Sequence, residues 1–176
     1  MSDQPGHVIV MGVTAVGKTS VADGLVEALG WDFMEGDDLH PQANIDKMSA
    51  GTPLTDEDRW PWLHAIASRI REEDEAGKST ITTCSALRRV YRDILREAVA
   101  RDHAVYFLHL HAPFEVLKQR MAHRTRHFMP TSLLQSQFDT LEPLESDEAG
   151  IMIDVSPPQE AVVAASLEAI RLHYRL

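Results

Sequence analysis

Short apolar, β-branched runs alternate along this chain with longer stretches of helical periodicity. His7-Val-Ile-Val-Met11 reads as a buried strand and is followed by a glycine-punctuated loop. From about Lys18 to Leu29 the residues Val21, Leu25, Ala28 and Leu29 fall on one face of a helix. Trp31 to Glu35 predicts a second strand. Thr55-Asp-Glu-Asp58 fits a capping box that opens a helix carrying Trp62, Ile66 and Ile70. Ser79 to Thr83 predicts strand three, about Arg88 to Ala100 a helix, and Ala104 to Leu110 strand four, with Pro113 starting the next helix. Gly150 to Val155 predicts strand five, and Pro157-Pro158 introduces a closing helix. Strands that alternate with helices in this way specify an α/β fold, a parallel sheet of about five strands flanked by helices in three layers.

Two polar stretches rich in turn residues have no place in that alternation. One runs from Leu39 to Leu54, and with the helix behind it gives a substrate-covering segment over about residues 39–75. The other, over about residues 124–145, has the character of a mobile lid. With no internal repeat and no interdomain linker, residues 1–176 read as a single domain.

Composition narrows the partners. Hydrophobic residues at 44% and charged residues at 25% are ordinary globular values. A formal net charge of -10 argues against a nucleic-acid partner, which calls for a basic stripe, and requires any anion site to be local. No apolar stretch is long enough to span a bilayer, and Met1 to Gly6 has no basic, apolar leader character. Cys84 is the only cysteine, which suits a reducing compartment. The expectation is a cytoplasmic protein with no membrane partner.

Gly12-Val-Thr-Ala-Val-Gly17-Lys18-Thr19 matches the phosphate-loop pattern G-x-x-x-x-G-K-[ST], placed between a strand and a helix as its mechanism requires. The glycines let consecutive backbone N–H groups turn toward a phosphate, and the helix that follows directs its positive end at the same anion. The nucleotide-binding set is therefore Gly12, Val13, Thr14, Ala15, Val16, Gly17, Lys18, Thr19 and Ser20. Lys18 bridges the β- and γ-phosphates of ATP, and the Thr19 hydroxyl is a ligand for Mg²⁺.

Several kinds of protein share this loop. A guanine-reading N-K-x-D element is missing, and the D-x-x-G tetrapeptides at Asp74 to Gly77 and Asp147 to Gly150 follow no apolar strand, which sets a GTPase aside. Strand three ends Ile81-Thr-Thr-Cys-Ser85 without an acid, unlike a motor or transport ATPase. The carboxylates come instead from Glu35-Gly36-Asp37 at the end of strand two, on the edge where open parallel sheets bind ligands. One acid can act on Mg²⁺ through water, the role given to Glu35. The other, Asp37, can accept the proton of an attacking hydroxyl. That arrangement marks a kinase of small hydroxylated substrates.

With these residues in hand, the chain resembles the gluconate kinases of the P-loop small-molecule kinase group. The matching strings are Gly36-Asp37-Asp38-Leu39-His40-Pro41 with Asn44, Lys47 and Met48, Gly51 to Arg59, and Pro61-Trp62-Leu63. They continue with Cys84-Ser-Ala-Leu-Arg88, Tyr91-Arg92-Asp93, and Gln137-Phe138 with Leu141-Glu142-Pro143. The resemblance implies ATP- and Mg²⁺-dependent phosphorylation of D-gluconate to 6-phosphogluconate, on an adenylate-kinase-like core with a moving lid, in a homodimer. Ala15 and Val16 stand where small or polar residues are expected. Arg88 stands where a lysine is frequent, and Arg126 where a glycine is usual before His127-Phe128.

A gluconate carboxylate needs a cationic partner, and the bidentate guanidinium suits it. Arg59 and Arg88 are the candidates, with surface pairing to Asp56 and Asp58 as the competing role of Arg59. Arg92 is a further candidate, though Asp93 and Glu97 offer it ordinary partners. His40 can hydrogen-bond a substrate hydroxyl or fix the turn before Pro41. Arg120 and Arg124, four apart, share a helix face leading into the lid, where one can pack on adenine and the other reach the transferring phosphoryl group. His123 and His127 have metal-ligand spacing but no third ligand nearby, His109 and His111 suit a satisfied or surface role, and Cys84 suits packing. The alternatives left open are a kinase of another polyol acid or of a shikimate-like substrate, and a nucleotide-dependent regulatory or binding protein without turnover.

Overall fold

The computed structural model describes residues 4–123 and 131–176 of the chain. Five parallel strands form one sheet: β1 (His7–Met11), β2 (Asp32–Glu35), β3 (Thr80–Thr83), β4 (Val105–His111) and β5 (Gly150–Asp154), in the order β2-β3-β1-β4-β5. β1 is central and buried at all five positions, as its unbroken run requires of a strand covered on both faces. The helices are α1 (Lys18–Leu29), α2 (Gln42–Ser49), α3 (Asp56–Glu75), α4 (Arg89–Arg96), α5 (Phe114–Ala122), α6 (Thr131–Thr140) and α7 (Gln159–Tyr174). α1 packs with α7 and α3 with α4. Right-handed crossovers put the first pair on one face of the sheet and the second on the other, so the expected three layers are present. No helix among the described residues is long and apolar enough to cross a membrane.

The strand order also locates the site. The chain leaves β1 toward β2 in one direction and leaves β3 toward β4 in the other, which opens a crevice at the carboxyl ends of β1 and β3. The phosphate loop follows β1 directly into this crevice, pinned to the segment after β3 by the Gly12 N–H, which donates to the Ser85 carbonyl at 3.2 Å.

The polar stretch from Leu39 to Leu54 is more ordered than its composition suggests. It contains α2, which is tied to the start of α3 by two contacts. The Asn44 amide donates to the Asp58 carbonyl at 2.8 Å, and Lys47 pairs with the Asp58 carboxylate at 2.7 Å. The expected capping box is present, with Thr55 and Asp58 bonding each other's backbone N–H groups. Lys47 and the Thr55 backbone hold the Asp58 carboxyl down to about 2. Beyond residue 130 the lid stretch begins with α6, and its trailing segment docks through Glu142, whose N–H donates to the Leu87 carbonyl at 2.7 Å. Arg124, Arg126 and His127 lie outside the described residues. The helix expected to reach Ala100 ends at Arg96 and gives way to turns.

One candidate substrate ligand belongs to the core instead. Arg92 is fully buried, and its guanidinium is consumed internally. It donates to both carboxylate oxygens of Glu148 at 2.8 and 3.0 Å and to the carbonyls of Ala86 and Leu87 at 3.0 and 3.2 Å. Burial pushes the Glu148 carboxyl up, but the hydrogen bonds and charges of Arg92 and Arg96 outweigh it and hold the group below the usual carboxylate range. The reading of Arg92 as a substrate contact is thus corrected: the residue fixes the turn after β3 from below. Removing one partner of a buried ion pair strands the other charge, so Arg92→Met should lower stability by about 3–5 kcal/mol in denaturant unfolding. A loss under about 1 kcal/mol would show the pair to be dispensable.

Candidate active site

The phosphate loop takes its shape from three residues in the left-handed region, Gly12, Ala15 and Gly17, at φ 144, 70 and 86°. Gly12 has a second reason to be glycine, because a Cβ there would lie 2.6 Å from the Leu110 carbonyl oxygen of β4. Ala15 adopts the same region at a cost of about 1–2 kcal/mol. Its methyl group and the side chains of Val13 and Val16 are buried, so these apolar residues point into the core and leave the loop's inner surface to the backbone. Gly17 caps α1 without a side-chain hydrogen bond, so the first-turn N–H groups remain directed at an incoming anion. Lys18 folds its ammonium onto the Gly12 and Val13 carbonyls at 2.9 and 3.1 Å.

The acids stand across from the loop. Glu35 accepts hydrogen bonds from the Thr19 hydroxyl at 2.9 Å and from the Thr83 hydroxyl at 2.5 Å. A hydroxyl and a carboxylate are hard oxygen donors, and this pair beside the phosphate loop suits Mg²⁺. Gly36 lies so close to β3 that a Cβ would fall 2.0 Å from the Thr83 carbonyl oxygen. The Gly36 carbonyl accepts from the Trp62 indole N–H at 2.8 Å. Asp37 then projects into the crevice with its side chain 72% exposed.

His40 stands behind Asp37. Its ring stacks on Trp62 with centroids 4.0 Å apart. Asn44 must turn its amide nitrogen to the Asp58 carbonyl, and the same nitrogen lies 3.2 Å from His40 Nδ1. Nδ1 is therefore the acceptor, and the ring proton sits on Nε2, 3.7 Å from the Asp37 carboxylate. Burial lowers the His40 pKa, against the opposing pull of Asp37, so the ring is neutral. Its placement favours the local, turn-fixing role together with orientation of Asp37.

Two recesses flank the loop. The first holds about 700 Å³ of empty space, open mouth included, and is lined by Thr14, Lys18, Asp37, His40 and Arg59 among others. Arg59 donates to the Tyr91 hydroxyl at 2.9 Å and lies 3.9 Å from Asp56. Arg88 stands beside this recess, paired with Asp56 at 2.5 Å and with Glu142 at 3.4 Å. Asp56 also accepts from the Tyr91 hydroxyl, and Tyr91, Arg88 and Arg59 together hold its carboxyl below the usual range. The second recess, about 1150 Å³ with its open mouth, lies on the far side of the loop against Ala15, Val16, Gly17 and Ser20. Arg120 lines it and donates to the Val155 carbonyl at 2.6 Å.

The structure thus brings together the loop, Glu35, Asp37, His40 and Arg59, with Arg88 alongside and Arg120 across the loop. It places Arg92 in the core, and Arg124 lies outside the described residues. Other residues at the site went unassigned in the sequence: Thr83 beneath Glu35, Trp62 beneath Gly36 and His40, Asp56 and Tyr91 between the arginines, and Gln137, whose side chain reaches the Thr14 N–H. Tyr91 and Gln137 belong to strings already singled out, but nothing in those strings discloses their partners. Burial pushes the Cys84 thiol up to about 12, in keeping with packing. His109 departs from the satisfied role expected of it. Neither ring nitrogen has a partner among the described residues, and burial, aided by His111 and Arg92, lowers its pKa to about 4, so it packs as a neutral ring.

Residues 8–144 match the family model described as "AAA domain". The chain is 44% identical to a gluconokinase of Gluconobacter oxydans over 99% of its own length and 94% of the relative's. A solved sugar kinase from Janibacter superposes with a TM-score of 0.89 at 51% identity, covering 94% of each chain. A solved gluconokinase from Sinorhizobium meliloti gives 0.87 at 46% identity over 97% of this chain and 95% of its own. Likeness of this extent, on a fold whose two recesses meet at a phosphate loop, shows that the chain is a P-loop kinase belonging to the gluconokinase family.

Proposed function

We propose that this kinase transfers the terminal phosphoryl group of ATP to the primary hydroxyl of D-gluconate, giving ADP and 6-phospho-D-gluconate. The observation that carries the reading is the placement of Asp37, opposite Lys18 in a recess that also presents Arg59. The gluconokinase relatives support the choice of acceptor. In this reading the second recess takes the adenosine end, with Arg120 beside the base.

Asp37 accepts the hydroxyl proton as the acceptor oxygen bonds to the γ-phosphorus and the bond to ADP breaks. Lys18 moves from its two loop carbonyls onto the β- and γ-phosphates and follows the charge through the transfer. The neutral Nε2–H of His40 faces Asp37 and keeps its carboxylate aimed without cancelling its charge. Arg59 receives the substrate carboxylate, with Arg88 supporting it through Asp56. Thr19 and Glu35 would hold Mg²⁺, which would supply neutralisation of the phosphate charge. Arg124, outside the described residues, keeps the phosphoryl-facing role that its spacing from Arg120 implies. The homodimer and the cytoplasmic setting are part of the same reading, the second in keeping with the lone, buried Cys84.

A coupled ADP-release assay across gluconate, other aldonic acids, shikimate and nucleoside monophosphates tests the acceptor, and turnover without a preference for gluconate would overturn it. Asp37→Asn should lower kcat by about 10²–10⁴-fold with ATP affinity retained. A near-normal kcat would remove Asp37 from the proton transfer. Arg59→Met should raise the KM for gluconate roughly 10- to 100-fold, the loss of a charge-assisted hydrogen bond, with a smaller change in kcat. An unchanged KM would assign the carboxylate to another cation.

A further inference from the structure

A hydrogen bond joins α6 to the phosphate loop. The side-chain oxygen Oε1 of Gln137 accepts from the Thr14 N–H at 2.6 Å, across 123 residues of sequence. Thr14 is the third residue of the loop and, with Lys18, Asp37 and Gln137 itself, lines the acceptor recess. A backbone N–H can only donate, so the carboxamide must present its oxygen to the loop. That fixes the other half of the fork: the Nε2 group, with two N–H donors, is turned away from the loop. Among the described residues, the Thr14 N–H is the only hydrogen-bond partner of this side chain. The residue is half-buried, so its donors are restricted in direction without being sealed off.

The position of those donors matters for what passes through the recess. On the kinase reading, a phosphoryl group passing from the loop to an acceptor beside Asp37 moves through the recess that Thr14, Lys18 and Gln137 line. Its equatorial oxygens need donors there as the charge spreads in transfer. Lys18 supplies one from the loop. The Gln137 amide, already oriented by the Thr14 N–H, can offer neutral donors in the same recess with no reorganisation at the moment of reaction. We propose that Gln137 is a catalytic residue of the transfer, anchored by its oxygen to the Thr14 N–H and donating through Nε2 to the phosphoryl group in flight. This rests on the kinase reading above. It also gives α6 a chemical task, because only a docked α6 delivers the donor.

Substitution at this position separates a donor from a mere latch. Gln137→Glu keeps the shape and the oxygen that accepts from Thr14, but replaces the donor by a negative charge. Gln137→Leu removes both. If Nε2 donates to the phosphoryl group, Gln137→Glu should lower kcat at pH 8 by at least about 100-fold, the range seen when one transition-state donor is lost. ADP affinity and the thermal midpoint should stay near wild type. The ratio of variant to wild-type kcat should rise as pH falls, because a protonated Glu side chain regains a donor. Gln137→Leu should lose kcat at all pH values without that recovery. A Gln137→Glu enzyme within about threefold of wild type, or a kcat ratio flat with pH, would reduce Gln137 to a latch. An unmutated protein that releases no ADP with any acceptor would overturn the kinase reading and this inference together.

Discussion

The close approach of Gly36 to the end of β3 is the constraint on which the acceptor half of the site rests. A space that cannot admit one Cβ beside the Thr83 carbonyl brings the end of β2 flush against β3. Glu35 is thereby delivered to the Thr83 hydroxyl on one side of the glycine, and Asp37 to the crevice on the other. Two neighbouring carboxylates acquire different surroundings from a single backbone contact. Glu35 is bound by two hydroxyls, while Asp37 is left exposed with a neutral imidazole behind it. The Trp62 indole locks the arrangement by bonding the Gly36 carbonyl and covering His40.

The cations are managed in the same way, by local acids. A protein of net charge -10 gains no attraction for anionic substrates from its overall field. Arg59 and Arg88 share Asp56, and Tyr91 bonds to that carboxylate as well as to Arg59. The cluster keeps two long side chains ordered beside the recess, so less conformational entropy is lost when an acid arrives. Through Asp58, α2 in the segment beside the recess is bound to the start of α3, the helix that supplies Asp56 and Arg59.

Much of this was legible in the sequence wherever structure depends on neighbours along the chain. The phosphate loop, the five strands, the capping box at Thr55 and the acid pair around Gly36 are all local patterns, and each appears within a residue or two of its expected place. Arg92 was not legible. Its near neighbours Asp93 and Glu97 are ordinary partners for an exposed arginine, whereas the carboxylate that claims it lies 56 residues on and only tertiary packing brings the two together. Arg88 shows a milder form of the difficulty, since Asp56 lies 32 residues upstream. The sequence supplies the charge types. Whether an arginine faces ligand or core is decided by topology.

The same distinction explains why the sequence offers a chemical role for the lid arginines but none for Gln137, although Gln137 stands in one of the family strings. A charge next to a phosphate can be inferred from its type alone, because no neutral environment holds it cheaply. An amide has no such signature, since it suits a surface, a turn or a site equally well. Its meaning comes from orientation, and orientation here is set by a backbone N–H that can accept nothing. In a recess that, among the described residues, already presents Lys18 and Arg59 beside a single carboxylate, Asp37, a neutral donor has an advantage over a further cation. On the proposed mechanism it would stabilise the oxygens in transit without forming an ion pair with Asp37, the proposed base, which the reaction must leave unpaired.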